Sequence, residues 1–294
     1  MRDAGLCSVA VLWGGFGRER EISCISGRQV LKGLDRERFR PVSVEIREDR
    51  RWSIEGEEPK PAWEAVGELG TRCDVAFVAL HGPFGEDGTL QGFLETAGMP
   101  YVGSRVAGSA LACDKIRTKR LLEQAGMATA RDLVLTPDDP RIDEVGGTLG
   151  YPVFAKHPRE GSSLGMRCVD DAASLRAAVA EFASAEEEGR VLVEEALTGA
   201  EVTAAVLENE SGEPEALPLV LIEPRGGFFD FESKYTKGGA EKICPAPLQA
   251  DVAARIRATA LDAHERLGLR HMSRSAFMVS PTGACRCLEI NTIP

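Results

Sequence analysis

The chain has no surplus of positive charge, no long apolar run, no internal repeat and no low-complexity tract. Each absence removes a class of function. Thirty-five lysines and arginines stand against 46 aspartates and glutamates, giving a net charge of −11. Nucleic acid and anionic membrane both require a basic surface, so neither is expected as the main partner. A local basic pocket for phosphates is still allowed. The longest apolar runs, such as Val9 to Trp13, fall far short of the roughly 20 residues that cross a bilayer. No long apolar segment follows the first basic residue, so no signal peptide is expected. The eight cysteines are scattered, with only Cys285 and Cys287 close together. Two thiols do not make a zinc site, and free thiols in a reducing cytoplasm are expected.

What is present is ordinary globular composition, 43% apolar and 28% charged over 294 residues. That length is too great for one small core and implies two or three packed units. The N-terminal third alternates short apolar runs with helix-like stretches, the pattern of parallel strands joined by crossovers. Ser8 to Trp13, Val42 to Ile46 and Val75 to Leu80 read as strands, with a short extended piece from Pro100 to Gly103. Leu90, Phe93, Leu94 and Ala97 share one face of a helix over 89–97. A charged helix opens at Asp114, and its Lys115, Arg117, Lys119 and Arg120 read as a solvated face. Val153 to Lys156, Val191 to Glu195 and Glu201 to Leu207 read as strands, and Asp170 or Asp171 caps a helix burying Leu175, Val179 and Phe182. A long polar loop over 223–247 carries Phe228, Phe229, Phe231 and Tyr235. A helix over 251–267 and strands Phe277 to Ser280 and Arg286 to Asn291 close the chain.

Five places carry chemistry. The turn Gly14-Gly15-Phe16-Gly17, running into Arg18-Glu19-Arg20-Glu21-Ile22-Ser23, brings backbone N–H groups to a helix start, which suits an anion, though a tight turn with solvated charges explains it equally. His81-Gly82-Pro83-Phe84-Gly85-Glu86-Asp87-Gly88-Thr89 lies at the carboxyl end of a strand, the edge where open α/β sheets bind ligands. Lys156 precedes the stretch Glu160-Gly161-Ser162-Ser163-Leu164-Gly165, which can cover phosphates with N–H groups and hydroxyls. Its spacing is not that of a P-loop; a surface hairpin is the plain alternative. Glu194-Glu195-Ala196-Leu197 leaves a strand for a short linker that could meet a flat heterocycle, with Glu201 placed for a ribose diol. Glu289 and Asn291, two apart on a strand, present two hard oxygen ligands on one face, as Mg²⁺ prefers.

These strings, together with Asp114-Lys115, Arg159 beside the Gly-Ser stretch, Lys234-Tyr235-Thr236, Cys244-Pro245-Ala246 and Leu288-Glu289-Ile290-Asn291-Thr292, resemble the D-alanine–D-alanine ligases. The resemblance runs in order from residue 9 to 294. It implies an α/β architecture: a Rossmann-like pre-ATP-grasp domain over 1–104, followed by a two-lobed ATP-grasp fold. The central lobe would span 105–192 and an incomplete C-terminal lobe 193–294. It implies ATP as co-substrate, two Mg²⁺ ions with Mn²⁺ as a substitute, D-alanine as substrate, a cytoplasmic homodimer and a role in peptidoglycan synthesis. Lys115, Lys156 and Ser163 would meet phosphates, Glu194 and Leu197 the adenine, and Glu201 the ribose. Glu19 would receive the ammonium of the first D-alanine, with His81 and Ser162 nearby. Lys234 and Tyr235 would close over the pocket, Arg274 would offset developing negative charge, and Glu289 and Asn291 would hold metal.

The chain departs from that family in two main ways. Arg274-Ser275-Ala276 stands where the family has Arg-x-Asp, so Ala276 replaces a metal-binding carboxylate. The chain also ends at Pro294, before the family's Gly-Met segment, its substrate-gripping serine and its closing helix. The expectation is a member of this family with little or no turnover that still binds ATP weakly. The alternatives are a catalytically dead binder of nucleotide or D-alanine, and another ATP-grasp carboxylate–amine ligase.

Overall fold

The structure is a computed structural model and describes residues 5–161, 165–224 and 239–294. It falls into two compact units, the first comprising residues up to Ala110 with Gly268–Met272 and Thr292–Pro294, the second comprising Leu111–Leu267 and Ser273–Asn291.

In the first unit, β1 (Cys7–Gly14), β2 (Phe39–Ile46), β3 (Trp52–Ile54), β4 (Val75–Val78) and β5 (Tyr101–Val102) form one sheet in the order β3-β2-β1-β4-β5. The pairs β1–β2, β1–β4 and β4–β5 are parallel, and β3 runs antiparallel at the edge. As the central strand of a covered parallel sheet, β1 must be apolar on both faces. Ala10 and Leu12 face a core that includes Trp52, Leu69, Leu90 and Leu94, while Val9 and Val11 face a smaller cluster around Ala79. The crossovers are α1 (Arg20–Gly33), α2 (Ala62–Arg72) and α3 (Thr89–Thr96); α4 (Val106–Cys113) follows β5. Because α1 and β2 lie to one side of β1 and β4 to the other, the sheet has a topological switch at the carboxyl ends of β1 and β4.

The second unit holds two sheets. A four-stranded antiparallel sheet, ordered β6-β9-β7-β8, contains β6 (Asp132–Leu135), β7 (Val153–Lys156), β8 (Met166–Val169) and β9 (Val191–Glu195). One face, with Leu135, Val153, Ala155, Val191 and Val193, packs on Leu175, Ala178 and Val179 of α7 (Ala172–Ser184). Of the two expected caps, Asp171 is the one used: its carboxylate accepts from the Ser174 N–H at 2.7 Å. The larger sheet contains β10 (Ala200–Glu208), β11 (Pro214–Ala216), β12 (Val220–Pro224), β13 (Ala240–Ile243), β14 (Met272–Val279) and β15 (Cys285–Asn291). The remaining α-helices among the described residues are α5 (Lys115–Gln124), short α6 (Val145–Thr148) and α8 (Ala250–Arg266).

Three local expectations are corrected. The basic side of α5 is not uniformly solvated: Arg117 and Arg120 keep 48% and 44% of their side chains exposed, but Lys119 keeps 5%. The span read as one long loop contains the end of β12 and all of β13, which pair antiparallel at Glu223–Glu241 and Pro224–Ala240. The charged, solvent-facing Glu241 and Lys242 hid that strand, as charged side chains do on sheet edges. The strand expected from Phe277 begins five residues earlier at Met272. Its polar Ser273 and Ser275 are buried, and Ser273 Oγ shares a 2.8 Å hydrogen bond with His264 Nδ1.

Candidate functional site

Two polar centres arise, one in each unit. In the first unit, Glu19 occupies the position just before α1, beyond β1, and is 6% exposed. A carboxylate at a helix N-terminus is favoured by the helix dipole. His81 lies beyond β4, at the other side of the switch. Its backbone N–H donates to Ser23 Oγ at 2.9 Å, and the Ser23 hydroxyl donates to the Glu19 carbonyl at 3.2 Å. Ser26 Oγ and His81 Nε2 share a hydrogen bond of 2.8 Å, while Glu86 stands 4.0 Å from Nδ1 and accepts from the Gly82 N–H at 3.0 Å. Gly82 has φ +77°, and a Cβ there would stand 2.0 Å from Glu19 Oε2. Only glycine lets this loop pass so close to the carboxylate.

In the second unit, a cavity of about 1030 Å³ is lined by the outer face of the four-stranded sheet, the β9–β10 linker and the ends of β14 and β15. Phe154, Met166, Cys168, Leu197, Met278 and Leu288 give it apolar walls, and Lys115, Lys156, Glu194, Glu201 and Glu289 bring charge. The linker fits because Gly199, at φ +149°, carries no side chain: a Cβ would stand 2.1 Å from the Val279 carbonyl oxygen. Lys115 Nζ donates to the Glu160 carbonyl at 2.5 Å and so pins the entrance to the Gly-Ser stretch.

The charge on the sheet's outer face is ordered by strand register. Asp132 on β6 pairs directly with Glu194 on β9, which pairs with Phe154 on β7; Lys156 is the diagonal neighbour two residues on. Like charges directly opposite across strands repel. Lys119, reaching in from α5, relieves this by bonding Glu194 Oε1 and standing 3.5 Å from Asp132. The other oxygen of Glu194 takes Lys156 Nζ at 2.5 Å, and Arg120 closes the far end with bonds of 2.5 and 3.0 Å to Asp132. Burial alone would push the Glu194 carboxyl up, but Lys156 and Lys119 outweigh it and hold it below the usual carboxylate range. Burial likewise opposes the Lys156 ammonium, yet Glu194, then Glu289 and Glu201, keep it above its ordinary value.

Glu289 lies opposite Ala276, and Asn291 opposite Arg274, in the β14–β15 pair. Glu289 and Ala276 line the cavity. Among the described residues no group of three or more His, Cys, Asp or Glu side chains could hold a metal. Burial, with Glu289 and Glu194 nearby, pushes the Cys287 thiol up to about 12, so this buried sulfur, beside the small neighbouring cavity, stays protonated. All eight cysteines are free thiols. Ser162, Ser163, Lys234 and Tyr235 lie outside the described residues. Thus Lys115, Lys156, Glu194, Leu197, Glu201, Ala276 and Glu289 line one cavity, and Glu19 and His81 share one loop cluster. Sequence reading missed Lys119, Asp132 and Ser26 as parts of these centres, while Ser23 stood at the end of the first candidate string. The four-residue spacing from Lys115 to Lys119, one helix face, was the available signal.

Residues 8–104 match the family described as D-ala D-ala ligase N-terminus, and residues 121–294 match D-ala D-ala ligase C-terminus. The chain belongs to the D-alanine–D-alanine ligase family. It is 39% identical over 287 residues to a D-alanine–D-alanine ligase of Syntrophotalea carbinolica, covering 97% of this chain and 86% of that one. It is 40% identical to the corresponding ligase of Desulforudis audaxviator, covering 97% and 88%. Among solved structures it resembles the VanG D-Ala:D-Ser ligase from Enterococcus faecalis, with TM-score 0.82, 30% identity and coverage of 98% and 91%. The D-alanine–D-alanine ligase from Coxiella burnetii gives TM-score 0.82 at 27% identity, covering 99% and 86%. The fold of this ligase family is the ATP-grasp fold, as the sequence resemblance implied.

Proposed function

We propose that the chain carries the ATP-dependent joining of two D-alanines to D-alanyl-D-alanine, a peptidoglycan precursor. The observation that supports it is the convergence of Lys115, Lys156, Glu201 and Glu289, from four separate segments, on one cavity. In this reading the adenine lies among the apolar walls with Leu197, the ribose meets Glu201, and Lys115, Lys156 and Ser163 neutralise phosphates. Both Glu194 oxygens are occupied by lysines and β9 is paired on both sides, so the base would meet the linker that follows, at Leu197. Glu19 receives the ammonium of the first D-alanine, with His81, Ser162, Lys234 and Tyr235 on the substrate side. The substrate carboxylate attacks the γ-phosphorus, ADP leaves, and the resulting acyl phosphate is attacked by the amine of the second D-alanine with release of phosphate. Arg274, Lys115 and Lys156 offset the charge that develops.

Glu289 on the cavity wall and Asn291, two residues on along β15, would hold one Mg²⁺ whose shell waters and phosphates would complete. Such an ion draws charge from the transferring phosphoryl oxygens. A second ion would have to share Glu289 alone, because Ala276 offers a methyl group across the strand pair. The same proposal takes 105–192 and 193–294 as the two lobes, supported by the four-stranded sheet, whose β9 crosses that boundary, and the larger sheet that follows it. It also includes a homodimer and a cytoplasmic location. No helix among the described residues is long and apolar enough to cross a membrane.

The test is phosphate release from MgATP on adding D-alanine, comparing the chain with Ala276→Asp. Restoring the carboxylate should raise the rate about a hundredfold, the scale of one transition-state electrostatic contact. Running D-serine in parallel reads the choice of second substrate. The reading is lost if both proteins hydrolyse ATP equally with and without D-alanine and form no dipeptide.

A further inference from the structure

Lys119 is a charged side chain placed where charge is expensive. It keeps 5% of its side-chain surface, and it lines a small side cavity, not the large one that holds Lys156 and Glu201. Its partners are both carboxylates of the same strand pair, Glu194 through a short hydrogen bond and Asp132 at 3.5 Å. An ion pair so buried is weak support for stability in itself, since desolvation offsets the attraction. Its effect on Lys156 is different. Glu194 is one carboxylate shared by two ammoniums, and each of its oxygens serves one of them. Glu194 thus answers two cations, while Arg120 at the far end is shared by Asp132 and Glu123. Without Lys119, Glu194 is left wholly to Lys156.

We infer that Lys119 is a positioning residue for Lys156: by occupying one oxygen of Glu194, it keeps the Lys156 ammonium from being fully neutralised and so available to nucleotide phosphates. The inference rests on the nucleotide reading of the large cavity. It assigns to a residue that touches no phosphate a share in phosphate binding, acting through one carboxylate. The base and ribose, which meet apolar walls and Glu201, should not sense the change.

The experiment measures equilibrium binding of ATP and of adenosine, by calorimetry on the full chain, for the unsubstituted protein, Lys119→Met, Glu194→Gln and the double variant. Lys119→Met should weaken ATP about tenfold, one buried charge contact's worth, while adenosine changes less than about twofold. Adding Glu194→Gln should return most of the lost ATP preference, because the carboxylate bonded to Lys156 is gone. A purely structural lysine gives another pattern: ATP and adenosine weaken together, and the double variant is no better than the single one. Either of these results, or unchanged ATP binding in Lys119→Met, overturns the inference. If Lys119→Met does not fold, the comparison moves to Glu194→Gln against the double variant. Their ATP-to-adenosine preferences should agree within about twofold, since Lys119 acts only through Glu194; a lower preference in the double variant overturns the idea. Failure of the unsubstituted chain to bind ATP overturns the nucleotide reading itself, and this inference with it.

Discussion

The two polar centres are assembled by opposite means. The centre around Glu19 and His81 is a matter of chain ends: two strands stop side by side, and the loops and helix start beyond them supply the side chains. Its tightest contact sets backbone against a side-chain tip, Gly82 against Glu19. The centre around Glu194 lies in mid-sheet, where strand register fixes which charges face one another. Its tightest backbone approach sets backbone against backbone, Gly199 against Val279. A side-chain tip can swing away; a strand cannot. The first centre should therefore fail in function before stability, and the second in stability before function.

That contrast can be broken by substitution. The largest effect should come from Asp132→Ala, which leaves Lys119 and Arg120 with an incomplete buried partner set. A loss of about 3–5 kcal/mol, read by urea unfolding, is expected for breaking such a network. Gly199→Ala should cost about 3 kcal/mol or more, because the added methyl meets a carbonyl that belongs to a paired strand. By comparison, Gly82→Ala should cost about 1–2 kcal/mol for its left-handed backbone, since the Glu19 tip can move. It should nevertheless raise the D-alanine KM with little change in ATP binding. If Gly82→Ala unfolds the protein as readily as Gly199→Ala, the distinction between the two centres is lost. Ser26→Ala should leave stability within about 1 kcal/mol and shift only substrate-side kinetics, by removing one hydrogen bond to His81.

The smallest effect concerns pH. Burial holds the His264 imidazole below its ordinary value, with Glu208 only partly opposing. The folded state therefore prefers a neutral ring. Its stabilising contribution is full above the ordinary value near 6.5 and is lost as pH falls below it. Melting temperatures at pH 7.5 and 5.5 should differ less in His264→Gln than in the unsubstituted chain; an equal difference refutes the assignment.

How legible each centre was in the sequence follows from the same contrast. Strings such as His81 to Thr89 are contiguous, and a glycine-rich segment after a strand announces its position. The strands over 153–156 and 191–195 were readable to the residue because their apolar runs start at valine and end sharply at a charged residue. The Lys119–Glu194–Asp132 contact was not, because its members are 75 and 62 residues apart and meet only through register. A lysine on a charged helix has the same composition whether it faces water or a carboxylate. The edge strand over 240–243 was hidden for a related reason: its side chains are chosen for solvent, not for the sheet.

The facing pair Asp132 and Glu194 has a consequence for how the chain finds its fold. Sliding β6 by one residue along β9 would turn the Asp132 row inward and put Leu133 and Leu135 outside, since alternate residues point to opposite faces. The apolar residues of α7 would then meet carboxylates, and Lys119 would meet leucine. Apolar pattern and charge pattern thus reject the same errors, and they do so from opposite sides of one sheet. The ionic row serves as an alignment mark: it is satisfied only when strands far apart in sequence have met in their correct phase.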